Sequence, residues 1–230
     1  MSEEINRLFS DIHEKYDFMN SALSLGVDRK WREETARKCI MTKKDYRVLD
    51  VACGTGELSI AIKSESERNG KNAEIIGIDF NKDMLRIAKE KIKRNKMDIK
   101  FQIGDALDMK FRSNSFDVVV SSFAMRDFDD LRKFVRECHR VLAKGGNVVL
   151  VDMSKPDGRV MNFLFGIYSR IMLIEGMLVD RNAYSFLVSS IKGFDKKRLV
   201  RIMEKEGFKN VTLSSLTSGI AFAATGRKVS

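Results

Sequence analysis

Apolar and polar positions come in alternating blocks along the 230 residues. Short runs dense in Val, Ile and Leu, each closed by a turn signal, predict strands at 47–52, 74–79, 99–103, 116–122, 146–152, 210–217 and 220–227. Between them, apolar residues recur at helical spacing and predict helices at 57–67, 81–95, 129–143 and 195–206, the third stopped by Gly145 and Gly146. This alternation argues for parallel strands joined by crossover helices. The last two strands break the rule, because only Ser218 and Gly219 separate them. That link is too short for a parallel crossover, so they form an antiparallel hairpin.

The first strand ends in Asp50 and runs through Gly54, Thr55 and Gly56 into a helix. Glycines in such a turn let backbone N–H groups approach a ligand, although plain tight turns look the same. The second strand, within EIIGIDF (74–80), ends in Asp79, where an α/β fold hydrogen-bonds a ribose diol. Asn81 is the better-placed cap for the helix that follows, which leaves Asp79 available. Together these features suggest a nucleoside-containing cofactor. Asp105 and Ala106 follow the third strand, where a carboxylate can accept from an adenine amine or simply fix a turn. Ser122 ends the fourth strand and could line the cofactor's other side. Next comes SFAMRDF (122–128), whose Arg126 and Asp127 lie where substrates meet such a sheet, with a surface salt bridge as the plain alternative.

A mostly parallel sheet closed by an antiparallel hairpin resembles the class I methyltransferase fold rather than a nicotinamide-binding Rossmann domain. The glycine loop agrees, since it lacks the third glycine of GxGxxG. The expected fold is therefore α/β and Rossmann-like, with a seven-stranded sheet, and the implied cofactor is S-adenosylmethionine. With one proline and no Gly/Ser-rich linker, the chain reads as a single domain over 1–230, with an N-terminal helical cap (1–45) and a substrate lid (159–190). Three widely spaced cysteines without metal-ligand pairing imply neither a metal nor a disulfide framework. The charged N-terminus is no signal peptide, so a cytoplasmic location is expected. The net charge of +10 is spread along the chain, which favours a solvated surface over a nucleic-acid partner.

More specific signals occur in order: FSDIHEKYDFMNSALSLGVDRKWR (9–32), VLDVACGTGEL, SFAMRDF, YSFLVSSI (184–191) and LTSGIAFAATGRK (216–228). On these the chain resembles the ubiquinone/menaquinone biosynthesis C-methyltransferases over nearly its whole length. The resemblance implies methylation of a ring carbon of a polyprenylated quinol. It implies that Thr55, Asp79, Asp105, Ala106 and Ser122, beside the loop residues Asp50, Gly54 and Gly56, hold the cofactor, with Tyr16, Arg126 and Asp127 near the ring. Two positions depart from the pattern: Cys53 stands where glycine is more frequent, and Asp127 where asparagine is usual. The second could change which quinol is accepted or which group handles the proton.

Such a reaction needs a base and something to stabilise a phenolate. Arg126 suits the second task, and Asp127, a water or His13 the first; His139 reads as structural. Residues 159–179 are apolar but interrupted by Asn162, Arg170 and Glu175, which fits a lid, a peripheral contact with the inner face of the cell membrane, or a core or dimer helix better than a transmembrane span. A homodimer stays open. The rivals are a methyltransferase of RNA or another small molecule, and a non-catalytic cofactor-binding or membrane-surface module.

Overall fold

The computed structural model describes residues 24, 26–156, 158–159, 161–163, 165–167 and 188–229. Helix α1 (Asp28–Lys38) leads into β1 (Asp45–Val51), α2 (Glu57–Arg68), β2 (Asn72–Asp79), α3 (Lys82–Asn95), β3 (Lys100–Ile103) and β4 (Phe116–Ser122). Then follow α4 (Leu131–Val141), β5 (Leu142–Met153), α5 (Lys196–Lys205), β6 (Lys209–Leu216) and β7 (Ala221–Arg227). The strands form one seven-stranded sheet in the order β3-β2-β1-β4-β5-β7-β6. β7 runs antiparallel to both β5 and β6, and the other neighbours pair parallel. The expected fold class and terminal hairpin are both present.

The apolar runs are continuous because neighbouring side chains feed opposite layers. Val48, Val118, Val120, Val149 and Val151 pack with Trp31, Leu58, Ile62 and Leu85 of α1, α2 and α3. Leu49, Val119, Val148 and Leu150 pack with Phe134, Val135, Leu199 and Met203 of α4 and α5. Three helices begin at side-chain caps: Asn81 accepts the N–H groups of Asp83 and Met84, Asp130 that of Lys133, and Asp195 those of Lys197 and Arg198. The first of these bears out the reading that frees Asp79.

One boundary needs correction. The helix expected over 129–143 stops at Val141, and Gly145 and Gly146 lie inside β5 instead of ending it. Its last carbonyls are taken by other partners: Asn114 N–H donates to Arg140 O, Ser115 N–H to Val141 O, and Lys228 Nζ to His139 O and Leu142 O. Gly146 is required by packing, since a Cβ there would lie 2.8 Å from Asp117 O.

The hairpin turn also differs slightly, with a tight turn over Thr217–Gly219 in place of a two-residue link. Its Thr217 Oγ1 accepts a hydrogen bond from Trp31 Nε1 at 2.8 Å, which joins α1 to the sheet. Of the expected N-terminal cap, residues 1–23 fall outside the described residues, Tyr16 and His13 among them, as do most residues of the expected lid.

Candidate active site

The parallel strands end on one side of the sheet, and two hollows with shared lining residues lie there. One, of about 390 Å³, is lined by Ala52, Gly54, Asp79, Asn81, Met84, Ser122, Phe123, Ala124 and Asp127 together with Phe80. The other, of about 540 Å³, is lined by Gly104, Asp105, Ala106, Leu107 and Phe128, and shares Ala52, Asp79 and Phe80 with the first. The strand order places β1 beside β4 at the reversal point, where open α/β sheets bind ligands.

The β1–α2 loop is shaped by backbone that most residues avoid. Ala52, Gly54 and Gly56 have φ of 54°, 52° and 79°. At Gly56 a Cβ would come within 2.6 Å of the Phe101 ring, so glycine is needed both for its angle and for its close packing. Asp50 is fully buried behind the loop; one carboxylate oxygen accepts Ser59 Oγ–H at 2.6 Å, and among the described residues the other has no partner. Burial pushes its pKa up to about 7, with Ser59 opposing and the Asp79 charge reinforcing the rise. Thr55 is buried in the same loop and lines neither hollow. Of these loop residues Gly54 borders the first hollow, and Asp50, Thr55 and Gly56 line neither.

Asp79 closes β2 with its carboxylate between two backbone donors, Gly54 N–H at 2.8 Å and Asn81 N–H at 2.9 Å. Each oxygen retains a lone pair, enough for two ribose hydroxyls. Burial pushes its pKa upward, against those two hydrogen bonds. Asp105 fixes a turn, since its carboxylate accepts Leu107 N–H at 2.8 Å, and it also lines the second hollow.

Beyond β4 the chain bends at Phe123, whose φ is 61°, and then carries Arg126 and Asp127. Arg126 donates to Asp152 from Nε at 2.5 Å, to Ser190 Oγ at 2.9 Å and to Phe123 O at 3.3 Å. Its side chain is 4% exposed, and it lines neither hollow. Asp152, fully buried on β5, also accepts the N–H groups of Met125 and Met153. The sequence reading assigned Asp152 no role, although an acid inside the apolar run NVVLVDM was a visible signal. Asp127 points the other way. It lines the first hollow at 7% exposure, and among the described residues its Oδ1 has no hydrogen-bond partner. Burial pushes its pKa to about 6, with Arg126 pulling down and Asp152 pushing up.

The family model described as the ubiE/COQ5 methyltransferase family matches residues 1–228. The chain belongs to that family. The demethylmenaquinone methyltransferase of Bacteroides fragilis is 35% identical over 99% of this chain and 93% of its own length. That of Staphylococcus aureus is 35% identical, covering 98% and 93%. Among solved structures, a Methanococcus maripaludis protein described as a candidate S-adenosyl-L-methionine-dependent methyltransferase superposes with a TM-score of 0.68 at 18% identity, covering 95% of this chain and 92% of that one. Phosphoethanolamine N-methyltransferase 2 of Haemonchus contortus, solved with S-adenosyl-L-methionine, gives 0.66 at 16%, covering 87% and 53%. A member of the ubiE/COQ5 family is a methyltransferase that uses S-adenosylmethionine. The residues present fit that donor: Asp79 borders both hollows with a carboxylate that has room for two ribose hydroxyls, and Gly54 presents bare backbone beside it.

Proposed function

We propose that the chain methylates a ring carbon of a polyprenylated quinol, a demethylmenaquinol or a ubiquinol precursor, in quinone biosynthesis. The observation that carries this reading is the 35% identity to demethylmenaquinone methyltransferases over nearly the whole of both chains. The acceptor end of the site supports it, because Met84, Phe80, Phe123 and Ala124 offer a flat ring an apolar lining in which only Ser122, Asn81, Asp79 and Asp127 are polar.

In this reading Asp79 holds the ribose hydroxyls, Gly54 lets the donor lie close to the backbone, Asp105 and Ala106 flank the adenine, and Ser122 bounds the first hollow. Bound S-adenosylmethionine supplies a methyl group on a cationic sulfur. The protein aligns the acceptor carbon for in-line displacement. Arg126, tied to Asp152, positions the 123–127 turn. Tyr16 is assigned to the ring by resemblance.

Among the described residues no helix is long and apolar enough to cross a membrane. Phe163 and Ile167, 68% and 42% exposed, stand one helical turn apart before α5 and supply an apolar contact for a membrane surface, where such quinols reside. The test is incubation with methyl-labelled donor and chemically reduced demethylmenaquinone or demethoxy-type ubiquinone precursors, with products scored by mass. Ring-methylated quinol is expected. Label found only in RNA, or in no extract, rejects the reading.

A further inference from the structure

Two acids near the 123–127 turn divide the available partners unequally. Asp152 takes the Arg126 guanidinium and two backbone N–H groups. Asp127, one residue along, has an oxygen without a partner among the described residues and borders the acceptor hollow. A buried carboxylate oxygen facing a cavity must find a proton or a donor there, or bear the full cost of desolvation.

We infer that Asp127 is the proton acceptor for the ring hydroxyl next to the carbon that is methylated. This rests on the quinol reading above. Asp127 Oδ1 takes the hydroxyl proton, and the O–H electron pair moves into the ring. The adjacent carbon forms its bond to the methyl group as the methyl–sulfur bond breaks, that electron pair staying on sulfur. The methylated carbon then carries one hydrogen too many for an aromatic ring. This hydrogen leaves to water as a proton, its bonding pair restores aromaticity, and the oxygen takes back the proton held by Asp127. One ring hydrogen has been replaced, one proton has been released, and Asp127 is ionised again.

The charged and titratable groups facing Asp127 are Arg126 in its own turn, Asp152 from β5 and Asp79 across the hollow from β2. Arg126 is committed to Asp152, so its charge only partly offsets the burial of Asp127. The resulting pKa of about 6 leaves the carboxylate ionised at neutral pH, yet close enough to it to return the proton.

The test compares the full-length wild type with Asp127→Asn, using labelled donor and a short-tailed reduced demethylmenaquinone across pH. At about pH 8 the variant should lose roughly 100-fold in kcat. Its donor affinity by calorimetry should change far less than kcat, and the acid limb of kcat/KM near pH 6 should vanish. A nitro-substituted naphthol, ionised before it binds, should be methylated by both proteins at similar rates. A readout without turnover is the wild-type-minus-variant difference in the infrared region of protonated carboxyls, which should contain a band titrating near pH 6 beside the Asp50 band near 7 that both proteins keep. Wild-type kcat and an unaltered acid limb in Asp127→Asn would overturn the assignment, as would an identical infrared titration in both. If the wild type methylates no reduced quinol, the quinol reading itself falls, and this role with it.

Discussion

The two ends of the parallel strands treat buried charge in opposite ways. At their amino ends every polar group named has a counterpart: Asp117 accepts from Lys43 Nζ and Arg47 N–H, Arg140 donates to Glu137, Met109 O and Phe111 O, and Lys228 donates to Asn114, His139 O and Leu142 O. At their carboxyl ends Asp50 and Asp127 each keep an oxygen without a partner among the described residues, and Ala52 and Phe123 adopt left-handed backbone angles. The charged groups named at the amino ends are closed by their own hydrogen bonds, although Tyr46 Oη and Ser66 Oγ have no partner among the described residues and Asn114 has a φ of 59°; at the carboxyl ends it is carboxylate oxygens that stay open, and of the two acids Asp127 borders a hollow. Arg126 and Asp152 are the exception, a fully paired couple at the open end.

That exception gives the largest expected effect. Asp152→Ala leaves the buried Arg126 without its carboxylate and should cost about 3–5 kcal/mol in urea unfolding. A loss below about 1 kcal/mol would place the pair among the reactive groups instead of the supports. At the closed end, Lys228→Met removes three charge-assisted hydrogen bonds and should cost about 2–3 kcal/mol, with α4 losing hydrogen-exchange protection first. Unchanged protection there would contradict the contrast between the ends.

Asp79→Ala should weaken donor binding by about 1.5–3 kcal/mol in calorimetry, and should also loosen the loop, because Gly54 and Asn81 lose their acceptor. Wild-type affinity in the folded variant would remove Asp79 from the donor site. The smallest effect has the opposite sign. Burial raises the Asp127 pKa from 3.8 to about 6, so the folded state holds its proton more tightly than the unfolded chain. Its ionised form therefore costs stability above about pH 6, and that cost disappears as the pH falls towards 3.8. Asp127→Asn should stabilise the donor-free protein by about 1–2 kcal/mol at pH 8 and by nothing near pH 4. Thermal melts at the two pH values check this, and a destabilised variant at pH 8 would mean that Asp127 is satisfied after all.

The sheet was legible because its signals are local. Val118, Val119 and Val120 form an unbroken apolar run, Asn81 is a capping residue at a helix start, and the short link between the last two strands permits only a hairpin. Gly145 and Gly146 misled, since a glycine pair after a helical pattern signals a stop equally well whether it ends the helix or lets β5 pass close to Asp117. At the site, Asp79 and Asp105 were legible from their place after strands. The division of labour between Arg126 and Asp127 was not, because it depends on Asp152 and Ser190, which are distant in sequence and meet Arg126 only in the folded chain. Spacing can mark a residue as interesting, but it cannot tell which way a side chain turns.

The outer margins of the sheet carry a consequence for how the protein behaves in company. β3 is four residues long, and β6, at the opposite margin, starts at Lys209 and breaks register before Thr212, with Asn210 at a φ of 51°. A short margin and a kinked, lysine-bearing one are poor templates for a strand from another molecule. Crowding therefore meets a sheet that resists being extended, which leaves helices and loops as the better surfaces for contact between copies.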